Sequence, residues 1–295
     1  MVSIDLKDET EALYFFSYMK KILAEQKMDG QVHVTVSDAF VNICKQAECI
    51  PTIFIKKSIS RALAHYVLRF YEQSFTMELL QKKFHYYDKE EINEIIFMMN
   101  ELVNGERENI PNQPKDIRKK LLEEDFFILL QETSFFDITS FFRFRLKRYK
   151  ALLCSFLEIA IDEYKMEQEY QNLIEEWRRY VQTKTSWIHT IYLSYHKKEC
   201  HLFVHPEEKQ TLGENMSWID KRLFQYIELQ HTPPILASLL SLAPKKIMIY
   251  TKERDALFIQ TIQNIFQESV SFYQDDSFIK ENVIMLDFLT INAYN

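Results

Sequence analysis

Glycine is nearly absent: the 295 residues contain only Gly30, Gly105 and Gly213, where an average composition would supply about twenty. Loops that cradle phosphates need several glycines close together, because the backbone must approach the ligand or take positive φ. No two of these three lie within a motif's length of each other. Walker A, dinucleotide-binding, kinase-loop and Gly-x-Ser-x-Gly hydrolase readings are excluded together. Cysteine is sparse as well. Cys44, Cys49, Cys154 and Cys200 are widely spread, with no Cys-x-x-Cys pair, and are expected as reduced thiols. Long apolar runs are missing too. The richest stretch, Phe126 to Leu146, is interrupted by Gln131, Glu132, Asp137, Arg143 and Arg145, so no transmembrane segment is expected. The opening residues Met1 to Leu6 lack the basic start and apolar core of a secretory leader, which predicts a cytoplasmic location.

What is present describes a globular body. Hydrophobic residues make up 47% and charged residues 27% of the chain, with a net charge of −7. That balance argues against a surface given over entirely to phosphate neutralisation, but leaves room for a local basic patch. Val2–Leu6 and Val32–Val36 alternate like strands, and Glu9–Gln26 between them has helical spacing, closed by the Asp29-Gly30 turn. Pro51–Lys57 is open between a third strand and the entry to a helix. From Ser58 the apolar spacing is helical. Asp88, with Glu91 three residues on, predicts a capped helix from Lys89 to about Val103. Asn104–Asp116 reads as a loop.

Neither glycine nor proline occurs between Lys115 and His205. One helix is expected from Asp137 or Thr139 to about Thr183, with a bend near Met166 where its apolar stripe slips in phase. Beyond Ser186 the period becomes two. Ile188–His196 and Cys200–His205 predict a hairpin, followed by helices at Trp218–Leu229, Ile235–Leu242 and Glu253–Gln267. Strands are expected at Lys246–Tyr250, Val270–Tyr273 and Val283–Leu289. The fold class is α+β: predominantly helical, with a small mixed β-sheet in the C-terminal part and a short N-terminal strand–helix–strand unit. Three domains are expected, at 1–57, 58–183 and 184–295.

Four groups of residues invite a chemical reading. His189, His196, Cys200, His201 and His205 cluster in the hairpin. However, His201 and His205 are four strand residues, roughly 13 Å, apart, so they cannot share one zinc. His196 and His201, as cross-strand neighbours, would make only a two-ligand site, and no metal and no cofactor is expected. Ser17-x-x-Lys20 and Ser194-x-x-Lys197 match a serine–lysine spacing that arises easily by chance, so no catalytic residue is assigned. The Phe-rich run through Phe126, Phe127, Phe135, Phe136, Phe141, Phe142 and Phe144 is expected in the core. The sharper signal is Arg143 to Lys150, with five cations in eight residues at the start of a long helix, where the dipole disfavours them. On one helix Arg143, Lys147 and Lys150 share a flank of the apolar stripe, and they are the candidate binding residues. Pairing with the acidic remainder of the same region is the competing explanation.

Phe141-Phe142-Arg143-Phe144-Arg145-Leu146-Lys147-x-Tyr149, continuing through Ala160 to Tyr170, resembles the hallmark helix of the YtxC-like family, sporulation proteins of endospore-forming Firmicutes. Ala243-Pro244-Lys245-Lys246 with the following strand is similar to that family's C-terminal segment, and Ala62-Leu63-Ala64-x-Tyr66-Val67 agrees less specifically. The resemblance implies a sporulation-associated protein and carries no catalytic residue. Macromolecular contact is therefore expected, with an unknown protein partner. The alternatives are nucleic acid or an anionic membrane surface held by the basic helix, and an enzyme whose site no motif reveals.

Overall fold

The computed structural model describes residues 1–28, 30–46, 51–105, 117–197, 199–207, 209, 220, 223, 234–274 and 283–286. The chain divides into two compact units, Met1–Met166 and Glu167–Asn295, and each has its own sheet.

The first unit begins with β1 (Val2–Asp5), α1 (Glu9–Glu25), β2 (Val32–Ser37) and β3 (Phe40–Lys45). Asp8 caps α1 by accepting from the Glu11 amide, and Ala12, Phe15, Met19, Ile22 and Leu23 form its buried stripe. β3 was not foreseen. The β2–β3 turn contains no glycine; Asp38 takes its left-handed position at φ 52°, a conformation that asparagine and aspartate tolerate better than most residues. Among the described residues, seven non-glycine positions adopt positive φ, against Gly30 and Gly105. The poverty in glycine has thus shifted turn geometry onto other side chains.

α2 (Thr52–Phe70) starts directly after Pro51, which settles the open Pro51–Lys57 segment as helix. α3 (Glu72–Lys82) follows without a loop. Asp88 then caps α4 (Lys89–Asn104) through the Glu90 and Glu91 amides, and Gly105 ends it at φ 70°. After α5 (Ile117–Glu132), β4 (Phe135–Asp137) runs parallel to β1 and completes a sheet of order β2-β3-β1-β4. Val2, Ile4, Val34, Val41 and Ile43 carry one face of that sheet into a core shared with α1, α2 and α5.

The expected helix from Asp137 is two helices, α6 (Ile138–Phe144) and α7 (Lys147–Thr183). Phe141 and Leu146 are both buried, at 2% and 1% exposure. Five residues of continuous helix would set them about 140° apart, so the chain turns at Arg145-Leu146 to bury both. α7 continues without interruption past Met166. The phase slip of its stripe falls where the core it serves changes. Leu153, Phe156, Leu157, Ala160 and Tyr164 pack in the first unit, whereas Ile174 and Trp177 pack in the second.

In the second unit β5 (Thr190–His196) and β6 (Glu199–Val204) form the expected hairpin. α8 (Pro234–Leu242), β7 (Lys246–Tyr250), α9 (Leu257–Phe266) and β8 (Val270–Tyr273) follow, and β9 (Ile284–Met285) falls within the strand expected at Val283–Leu289, of which residues 287–289 lie outside the described ones. The sheet order is β8-β7-β5-β6-β9, with β7 parallel to both β5 and β8. The expected helix at Trp218–Leu229 lies outside the described residues except for Asp220 and Leu223. An α+β fold rich in helix is present as expected, but with two mixed sheets rather than one.

Candidate functional site

The basic run divides into two populations. Arg145 pairs with Glu132 at 2.6 Å, and Arg148 with Asp125 at 2.8 Å and Glu124 at 3.5 Å. Lys150 sits 3.8 Å from the Glu78 carboxylate, with its ammonium 4.9 Å from the centre of the Phe75 ring. Hydrogen bonding from Lys82, together with Lys150, holds the Glu78 carboxyl below its ordinary range. Arg143 and Lys147 differ. Both are exposed, and among the described residues neither has a carboxylate partner; Arg143 lies 5.4 Å from the ring centre of the exposed Phe144. Because Arg143 belongs to α6 and Lys147 and Lys150 to α7, the three do not share the single helical flank that their spacing suggested. Of the phenylalanines expected in the core, Phe126, Phe136 and Phe141 are buried, whereas Phe135 and Phe144 are exposed at 60% and 64%.

A second basic surface lies on α2. Lys57, Arg61, His65 and Arg69 recur at intervals of four, so they form a row along one side of the helix. α1 flanks the row with Tyr14, Tyr18 and Lys21, and α5 with Lys119 and Lys120. Tyr18 stacks on His65 at 4.0 Å between ring centres, Tyr14 meets the His65 Nε2 at 3.0 Å, and Arg69 covers the Tyr14 ring at 5.5 Å. Burial, then the charges of Lys119, Arg69 and Lys21, depress the basicity of His65. Burial first and the surrounding cations second thus both favour the neutral imidazole.

At the N-terminal end of this row, Gln26 and Met28, which follow α1, line an open cavity of about 570 Å³ together with α2 and α5. Lys57, Arg61 and Lys120 supply its positive charge, and Met28, Phe54 and Phe127 its apolar wall. Glu123, 3.9 Å from Arg61, and Glu124 add two carboxylates. Lys57 and Lys120 have no ion pair among the described residues. Phe54 is 54% exposed and Ile53 beside it 48%.

Deeper in the same unit, two carboxylates are held by buried tyrosines. Glu11 of α1 accepts hydrogen bonds from Tyr66 and, at 2.9 Å, from Tyr71. Glu72 of α3 accepts from Tyr149 and pairs with Arg118. Burial, followed by the adjacent carboxylate, pushes both the Tyr66 and Tyr149 hydroxyls far above the ordinary tyrosine range. These groups remain protonated donors and tie α1, α2, α3, α5 and α7 together; nothing about them suggests turnover.

The hairpin histidines do not converge. The strand register sets Glu199 opposite His196 and Ser194 opposite His201, so the two histidines are not the cross-strand neighbours expected. Cys200 packs against the core of the second unit, and burial pushes its thiol up to about 12. Among the described residues no three His, Cys, Asp or Glu side chains are placed to hold a metal ion.

The sequence profile of the YtxC-like family matches residues 57–271. The chain belongs to the YtxC-like family. The uncharacterized protein YtxC of Bacillus subtilis (strain 168) is 30% identical over 274 residues, covering 92% of this chain and 93% of that relative. No solved structure matches. The YtxC-like match starts at Lys57 and therefore includes the cationic row, α5 and the Arg143–Lys150 run, while the flanking residues of α1 lie before it. Sequence reasoning selected the second of these basic segments and missed the first. The signal was available in the four-residue spacing of Lys57, Arg61, His65 and Arg69, once Lys57 is recognised as helical. No helix among the described residues is long and apolar enough to cross a membrane.

Proposed function

We propose that this YtxC-like protein is a sporulation-associated cytoplasmic protein that works by binding another macromolecule rather than by catalysis. The sporulation role is what the resemblance to the YtxC-like family implies. Support for the contact role comes chiefly from Arg143 and Lys147, two exposed cations without carboxylate partners among the described residues, beside the exposed Phe144. Their neighbours Arg145, Arg148 and Lys150 are already occupied by acidic groups of the same unit. Lys150 joins the surface, if at all, through its stem.

The test is in-cell crosslinking of the tagged full chain during sporulation, with an Arg143→Glu, Lys147→Glu double variant as comparison. Lys150 is left intact, because a glutamate there would face Glu78. Loss of a protein adduct in the variant, at unchanged abundance, is the expected outcome. An adduct that survives the reversal removes these residues from the function. Recovery of nucleic acid or lipid instead of protein favours the corresponding alternative, and salt-steep binding would mark the nucleic-acid case.

A further inference from the structure

We infer that the cavity lined by α2, α5 and the segment after α1, with the cationic row leading from it, is a docking groove for an acidic segment of a partner protein, anchored by an apolar side chain. The inference deepens the reading of macromolecular contact. It rests on other residues than Arg143 and Lys147.

The shape is the first argument. From Lys57 to Arg69 the row extends over twelve residues of helix, roughly 18 Å, about the length of five or six residues of extended chain. A compact metabolite would fill the cavity and leave the rest of the row without a use. The charge is the second. Lys57 and Lys120 at the cavity, and Arg69 farther along, have no carboxylate partner among the described residues, on a molecule whose net charge is −7. Such a local reversal of sign selects an acidic partner and speeds its encounter. The apolar wall is the third. Met28, Phe54 and Phe127 can take a leucine or phenylalanine side chain out of water, and buried apolar anchors of this kind carry most of the energy at interfaces.

One feature turns the assignment from nucleic acid toward protein. The carboxylates of Glu123 and Glu124 line the same cavity, where they would oppose a phosphate and a peptide carboxylate alike. They could, however, accept hydrogen bonds from the amides at the apolar centre of a peptide, donors that a phosphodiester backbone lacks. Tyr18 is stacked on His65 and Tyr14 is covered by Arg69, so each has one face occupied; Phe54 is the exposed ring of the groove, and an oligothymidylate probe tests whether a base stacks on it.

Fluorescence anisotropy on the full chain tests the assignment with a labelled octapeptide that has Phe-Leu at its centre and three carboxylate residues on each side. Comparison probes are the same peptide with lysines for the acids, the same peptide with Ser-Ser at its centre, an oligothymidylate of equal length, and phosphatidylglycerol vesicles. The acidic, apolar-centred peptide should bind best, and either peptide change should weaken it by about tenfold or more. Lys57→Gln with Lys120→Gln should cause a loss of similar size. Phe54→Ser, at a side chain already half exposed, should do the same without unfolding the protein; circular dichroism of each variant checks the fold. Equal binding of the Ser-Ser peptide, preference for the oligonucleotide or vesicles, failure of the acidic peptide to bind, or indifference to the variants overturns the groove. None of these results bears on the crosslinking test, which reads Arg143 and Lys147, so failure of the groove and failure of the broader function can be told apart.

Discussion

Asp137 shows how much can rest on one side chain. It stands between β4 and α6, accepts from the amides of Thr139 and Ser140 and from both hydroxyls, and lies 3.6 Å from Lys7. Burial alone would raise its pKa, but the hydrogen bonds from Ser140 and Thr139 outweigh it and bring the carboxyl from 3.8 down to about 2. A depressed folded-state pKa means stability that is complete above the unfolded value and disappears as pH falls through the folded one. Asp137→Ala should therefore cost about 1–2 kcal/mol near neutrality, the usual range for a lost helix cap. The gap in melting temperature between wild type and variant should hold constant from neutral pH to about 4.5 and close toward pH 2. A gap that does not change with pH across that range would show that the carboxylate is not the stabilising form.

At the scale of elements, legibility followed period and cap chemistry. α1, α4, the β5–β6 hairpin and β7 could be read because their apolar spacing is unmixed, and because Asp88 supplies a cap for α4. β3 was missed because its turn uses Asp38 where a reader looks for glycine, and β4 because Phe135–Asp137 is too short to show a period. The break at Arg145-Leu146 was invisible since its cause is tertiary: two buried residues five apart, each claimed by the same core. The same gap in local signal hid the α2 groove, whose first cation sits in the segment that could have been strand or helix. What joins the helices of the first unit was not legible at all. Tyr149, Glu72 and Arg118 come from three elements, and their distances in sequence carry no hint of contact. Tyr149→Phe removes a buried hydrogen bond to a charged group and should destabilise the first unit by about 1–3 kcal/mol, read as a lower urea midpoint for loss of helical signal. An unchanged midpoint would assign the stability to packing alone.

The whole molecule is acidic, yet its first unit gathers positive charge on two surfaces: the α2 row with its cavity, and the α6–α7 turn. The candidate cluster of hairpin histidines is spread across different register positions, and the buried tyrosines are held as neutral donors. Under the function proposed above, this YtxC-like chain works in sporulation by contact. The most direct measurement is the titre of heat-resistant spores from an endospore-former that lacks its own YtxC-like gene and expresses this chain. The account predicts that loss of the gene lowers the titre and that the wild-type chain restores it. It also predicts that a variant with Lys57, Lys120, Arg143 and Lys147 all changed to glutamate accumulates normally but does not restore it. A deletion strain that sporulates at the wild-type titre, or full restoration by the charge-reversed chain, would contradict it.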